Sequence, residues 1–247
     1  MRGFVPILKR ELFAFFVTPL AWVLITVFLL VQGMHFFLLI EHFSSAPDLG
    51  SDQTPMQAFF GKTVLLYLVL FLLIPAMTMR LFAEERRSGT IESLMSTQVT
   101  SVGVVAAKFC AALVVYIAMW APTLLYLVIL QRAGEVDWHA AAGAYLGVVA
   151  IGAAYIAIGL FMSSLTQSQF LALVLTAMVI LAFFILGVGE FVTKEGTLLH
   201  AICEHVSAWA HMNSFASGVI DSRAVIFYGS ITLLPLFLTT RVVEGWK

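Results

Sequence analysis

The chain has 247 residues, of which 61% are apolar or aromatic and 11% charged, and its 13 Lys and Arg against 14 Asp and Glu leave a formal net charge of -1. A soluble domain carries roughly 25% charged residues, so this composition predicts a polytopic membrane protein rather than a globular one. No cationic excess remains to neutralise phosphates, which excludes nucleic acid as a partner. Two cysteines, Cys110 and Cys203, are a poor basis for a disulfide framework.

In chain order, the first 16 residues predict an interfacial helix. At 100° per residue Phe4, Ile7, Leu8, Leu12 and Phe15 fall on one side, and Arg2, Lys9 and Arg10 on the other. Glu11 falls inside the apolar arc, which suits a face turned toward another protein element; a snorkelling anchor ahead of the first span is the plainer alternative. Apolar stretches bracketed by charged residues then give six spans, each near the ~20 residues that a bilayer requires: 18–40, 61–81, 104–130, 142–163, 169–189 and 223–240. The fourth and fifth come from one long stretch interrupted by the polar run from Ser163 to Gln169, which predicts a turn. Residues 198–220 are apolar too, but they contain His200, Glu204, His205, His211 and Asn213. A re-entrant or interfacial element fits them better than a seventh span.

Lys and Arg set the orientation, because cytoplasmic loops retain them. With both termini inside, inner segments hold Arg2, Lys9, Arg10, Arg80, Arg86, Arg87, Lys108, Arg241 and Lys247, nine of the 13 bases, and five of the 14 acids. Both termini are therefore expected in the cytoplasm, with no cleaved signal peptide. Cys110 then lies near the inner end of the third span and Cys203 on the outer side, too far apart to bridge.

The span interiors lack the Asp, Glu, Lys or Arg that ion-coupled transporters place in the membrane, and His35 is expected near the outer end of the first span. Gly61-Lys62-Thr63 ends like a phosphate-binding loop, but Met56 stands where the first glycine is needed and no strand precedes it. Any energy source must therefore lie in another chain. His200, Glu204, His205 and His211 match no zinc spacing, so no metal site is expected. Gly143 and Gly147, four apart, permit close helix contact.

The segment between the second and third spans carries the densest charge: Arg80, Glu84, Glu85, Arg86 and Arg87, then a short helix start with Glu92 in the first turn, where an acid favours the helix dipole. Charges flanking Leu94, Met95 and Val99 give a shape that docks into a groove on a cytosolic partner, or else form a solvated loop. Glu84-Glu85-Arg86-Arg87-Ser88-Gly89-Thr90-Ile91-Glu92-Ser93-Leu94, followed by Lys108-Phe109, resembles the signature loop of ABC-2 type ABC transporter permeases, with Ala107 where that family has glycine. Lys9-Arg10-Glu11-Leu12, Thr18-Pro19-Leu20-Ala21, the run from Leu73 to Arg80, Ala154 to Gly159 and Gly218 to Arg223 are similar to the gliding-motility-associated GldF branch of that family.

The resemblance implies an all-α polytopic membrane protein, one ABC-2 type domain over residues 1–247. It has six transmembrane helices, an N-terminal interfacial helix, a cytoplasmic coupling helix between spans two and three, and a re-entrant element between spans five and six. It places Glu84, Glu85, Arg86, Arg87, Gly89, Thr90, Glu92 and Leu94 at an ATPase contact, Ser164, Thr166 and Gln167 at a second cytosolic contact, and Arg2, Lys9, Arg10 and Glu11 on the bracing interfacial helix. The chain itself is then not catalytic and holds no cofactor, since ATP and Mg belong to two cytosolic ATPase subunits. The remaining partners are membrane lipid and a second permease, either another copy or a paralogue with a periplasmic domain. The implied function is ATP-driven export across the bacterial inner membrane, with spans two and five lining the path. A mechanotransducer that moves a periplasmic partner without cargo stays open as the alternative.

Overall fold

The structure, a computed structural model, describes residues 4–45, 57–61, 63–90, 99–133, 136–194 and 196–246. Eleven α-helices are assigned among them. α1 (Phe4–Val17) stops just before Pro19, which opens α2 (Pro19–Ser45) at the first helical position, where a missing N–H costs nothing. A π-helical turn, Gln57–Gly61, precedes α3 (Val64–Thr78), whose first turn is capped by the Thr63 hydroxyl accepting from the Leu65 amide. The short α4 (Ala83–Ser88) ends at Gly89, whose φ of 71° is the left-handed conformation that glycine adopts without strain.

α5 (Ser101–Trp120) passes through a 3₁₀ turn at Pro122 into α6 (Leu124–Ala133). α7 (Trp138–Leu165) and α8 (Gln169–Val188) follow, capped by Asp137 and Ser168. α9 (Leu198–Val206) and α10 (Ala208–Ala216) share Ser207 between them, and Asp221 caps α11 (Ser222–Glu244).

Six helical runs are long and apolar enough to cross a membrane: Pro19–Ser45, Val64–Ser88, Ser101–Arg132, Trp138–Leu165, Gln169–Phe191 and Ser222–Glu244. They coincide with the six spans read from the sequence, so the chain is a multi-pass membrane protein. α9 and α10 have nine residues each; at ~1.5 Å per residue each is under half the ~30 Å hydrocarbon thickness. They pack instead against α8 and α7. Tyr67 of α3 donates to the Ala208 carbonyl at 3.2 Å and stacks on Trp209 with ring centroids 5.5 Å apart.

α7 is the central helix, packed against α3, α5, α8, α10 and α11. Small residues let each neighbour approach. A Cβ at Gly147 would lie 2.8 Å from the Phe215 ring of α10, and one at Gly152 or Gly159 would overlap Tyr116 of α5 or Thr78 of α3. Large apolar side chains such as Leu30, Phe37, Phe170, Ile185, Ile226 and Leu233 remain exposed on the spans, the surface a bilayer covers.

The polar run between the fourth and fifth spans is shorter as a turn than the sequence suggests. α7 continues to Leu165, leaving Thr166 to Ser168 as the connection. Ser163 and Ser164 are wholly buried inside the helix end, because their hydroxyls find carbonyls there: Ser164 donates to Phe161 at 2.6 Å and Ser163 to Met79 at 3.0 Å.

Candidate functional site

The charge-rich segment after α3 folds back onto the bundle. α1 packs along α5 with Ile7, Glu11 and Phe15, four residues apart, as its buried stripe. Glu11 meets Lys108, which lies seven residues into α5 and is 1% exposed. An ammonium has three protons to donate; here it donates to the Leu81 carbonyl at 2.7 Å and to Glu11 Oε1 at 3.0 Å, and its charge pairs with Glu85 Oε2 at 3.1 Å. Arg10 closes the cluster from outside, reaching Glu11 Oε1 at 2.7 Å and Glu85 Oε1 at 2.6 Å. Two cations thus balance two carboxylates, joining α1, α4 and α5.

Burial opposes ionisation of Glu11, but the Lys108 charge and the hydrogen bonds from Arg10 and Lys108 overcome it and hold the carboxyl below its ordinary range.

The same segment is tied to the end of α7. Ser163 Oγ accepts from the amides of Phe82 and Ala83, both at 3.1 Å, satisfying two of the donors that a helix start leaves open. Arg86 donates to the Ser164 carbonyl at 2.8 Å and lies over the Trp246 ring, 5.0 Å from its centroid. Phe82 meets the same indole edge-on at 5.6 Å. A cavity of about 340 Å³ opens beside the cluster, lined among others by Arg10, Phe15, Arg80, Glu84 and Thr90.

This geometry divides the residues that the sequence groups together. Glu85 and Arg86 point inward and hold the segment in place. Glu84, Arg87, Gly89 and Thr90 are exposed, and among the described residues the Glu84 and Arg87 side chains make no ion pair. Ser164 contributes its carbonyl to Arg86; Thr166 is buried and accepts from the Ser168 amide at 3.1 Å, while Gln167 is exposed. Lys9 is exposed on α1, on the side away from the Glu11 stripe. Arg2, Glu92 and Leu94 lie outside the described residues, and with them the short helix expected after Gly89. The helix seen here is the charged run itself, Ala83–Ser88, because Gly89 terminates it.

Residues 42–236 match the family described as ABC-2 family transporter protein, a span of 195 of the 247 residues. The chain belongs to the ABC-2 family. ABC-2 permeases are generally non-catalytic transport subunits that pair with cytosolic ATPases. No match was found among curated proteins. Across the described residues of this ABC-2 domain, no group of three or more His, Cys, Asp or Glu could hold a metal ion. The histidines of the α9–α10 region serve local contacts instead: His200 Nδ1 with Thr193 Oγ1 and His211 Nδ1 with the Tyr228 hydroxyl, each at 3.2 Å, and His205 edge-on to Phe227. Both cysteines are free.

Three members of the site went unnoticed in the sequence: Lys108 as its hub, Ser163 as the anchor of Phe82 and Ala83, and Trp246 as the platform under Arg86. A signal existed for the first. Glu11 is an acid on an apolar arc and Lys108 a base within an apolar span, and each is the partner the other lacks.

Proposed function

We propose that this chain is the permease subunit of an ATP-driven ABC-2 exporter in the bacterial inner membrane, with both termini cytoplasmic. Two cytosolic ATPase subunits bind ATP and Mg and press on the segment from Arg80 to Leu94, and a second permease, a copy or a paralogue with a periplasmic domain, completes the path. α1 lies along the inner leaflet as a brace, α4 and the residues after it form the coupling element, and α9 with α10 re-enter the outer leaflet between the last two spans. The similarity to the gliding-motility branch makes a motility complex one setting for this subunit.

One observation carries the reading. The segment around α4 is fastened to α1, α5, α7 and Trp246 by ion pairs, hydrogen bonds and a cation–π contact, yet Glu84 and Arg87 are left exposed on its outer side. A push on those two side chains is therefore passed to α1 and to the spans α5 and α7 at once. Coupling requires such a mechanical connection between two sites.

Replacing Glu84 and Arg87 together by Ala tests this, because neither holds the fold. Partner ATPase activity in nanodiscs should lose its dependence on the permease, while insertion and thermal stability stay at the wild-type level. Unchanged permease-dependent ATPase activity overturns the assignment. Intact coupling with no amphiphile moved in vesicles would favour the mechanotransducer instead.

A further inference from the structure

At the end of the bundle away from the charged segment, histidines join α9 and α10 to the last span. The Phe227 ring of α11 meets two imidazoles, His205 of α9 edge-on and His211 of α10 tilted, each with ring centroids 5.4 Å apart. One residue on, the Tyr228 ring meets His211 edge-on, and its hydroxyl lies 3.2 Å from His211 Nδ1. Tyr228 is 4% exposed, and among the described residues His211 is the one hydrogen-bond partner of its hydroxyl. A neutral imidazole offers one nitrogen as acceptor, whereas a protonated one has two donors and no acceptor. The contact is therefore complete only with His211 neutral and Nδ1 accepting the phenolic proton. A second proton on the ring sets donor against donor and leaves a buried O–H without an acceptor.

The surrounding charges act in the same sense on balance. Burial and His205 push His211 below its ordinary value of 6.5, outweighing the pull of Asp221 and Glu204. Of the other elements packed on α10, α8 and the π-helical turn carry no charged residue or histidine, and α7 carries His139 in its first turn. α11 adds Arg223, exposed in its first turn, and the 3₁₀ turn packed on α9 adds Glu190.

We propose that this contact is an acid-sensitive latch: protonation of His211 breaks its bond with Tyr228, and the α9–α10 hairpin then releases from α11. Protons can reach it, since His205, Glu204 and Asp221 are exposed and His211 is half-buried. The stability that neutral His211 contributes is fully present above 6.5 and is lost as pH falls through its lower value in the closed hairpin. The latch thus holds at neutral pH and loosens in acid, the behaviour of histidine-based pH sensors. The inference rests on the permease reading for its setting, in which the hairpin re-enters from the outer side and the acidity outside the inner membrane sets how freely it moves.

Cys203 of α9 reports the release, because it is 5% exposed and its Sγ lies against Gly189, where an added Cβ would be 2.7 Å from it. With Cys110 replaced by Ser, the full chain in nanodiscs is treated with dithiodipyridine between about pH 7.5 and 5.5, each rate being divided by that of the SDS-unfolded chain at the same pH. The normalised rate should rise about five-fold toward acid, the factor that one net hydrogen bond supplies. His211→Gln, which stays neutral and keeps an acceptor for Tyr228, should give a flat profile, and His200→Gln, whose imidazole contacts Thr193 instead, should give the wild-type one. By NMR of ¹³C-labelled histidine, His211 should titrate below 6.5, and Tyr228→Phe should raise its midpoint, because no phenolic proton is then left stranded.

A flat profile in wild type, or an acid response of equal size in His211→Gln, overturns the latch, as does a His211 midpoint that Tyr228→Phe leaves unmoved. Any of these with permease-dependent ATPase activity intact leaves the permease reading standing, whereas acid-driven release without any ATPase dependence on the chain keeps the latch and removes the permease reading.

Discussion

Lys108→Met is the sharpest perturbation of the charged end. Methionine keeps the length of the side chain and its apolar stem but removes three contacts at 2.7, 3.0 and 3.1 Å. The Leu81 carbonyl loses its donor, and two carboxylates are left facing one guanidinium. Removing one member of a buried ion pair costs about 3–5 kcal/mol. Arg10 remains bonded to both Glu11 and Glu85, and its side chain is 51% exposed, so water and the guanidinium recover part of that. The expected loss is about 3 kcal/mol, read as a shift in equilibrium unfolding of the purified chain in mixed SDS and detergent micelles.

Charge balance gives the control. Glu85→Gln in the Lys108→Met background restores one cation to one carboxylate and should recover more than ~1 kcal/mol, a coupling within the range measured for residues of one network. As a surface comparison, Arg241→Met breaks a pair whose side chains are 65% and 45% exposed and should cost under ~1 kcal/mol. Wild-type stability in Lys108→Met, or strictly additive behaviour of the pair, would refute the buried-hub account.

Two further predictions concern the same region. Ser163→Ala strips the shared acceptor from the Phe82 and Ala83 amides, so hydrogen exchange at those two positions should rise at least about ten-fold, with about 2 kcal/mol of stability lost; unchanged exchange would contradict the anchoring role. Glu11 titrates below its ordinary value of 4.5, so the stability it contributes is fully present above that value and fades as pH falls through the lower folded one. Between pH 7 and pH 3 the wild type should lose more thermal stability than Glu11→Gln, which has nothing to protonate, and parallel losses would refute the linkage.

The membrane part of the fold was legible because a span is a local property. Twenty apolar residues without a charge can satisfy their backbone only as a helix in hydrocarbon, and the six spans follow from that. α9 and α10 were legible by the same logic in reverse, since His200, Glu204, His205 and His211 are too polar for a span. The charged end was legible only in part. The run from Glu84 to Arg87 stands out by density, but density does not say which side chains turn inward. That depends on α1, α5 and α7 meeting there, contacts separated by as many as 97 residues in the case of Lys108 and Glu11.

Ser163 shows the same limit. In sequence it reads as the start of a polar turn, whereas in space it is a buried hydroxyl facing two amides 80 and 81 residues away. The mismatch between residue and setting was nevertheless visible twice, as Glu11 on an apolar arc and Lys108 in an apolar helix. Unpaired charges in apolar settings are best read as a pair whose contact the sequence does not display.

The central claim is that the outer side of α4 receives force from a cytosolic ATPase. Site-directed crosslinking tests it most directly, with Glu84→Cys and Arg87→Cys in separate copies of the chain, reconstituted with its ATPase in nanodiscs and treated with a short bifunctional thiol reagent. Both positions should crosslink to the ATPase, with a yield that changes when ATP and Mg are added, while a cysteine at the lipid-facing Ile226 should not. Failure of both to crosslink, with permease-dependent ATP hydrolysis still present, would contradict it.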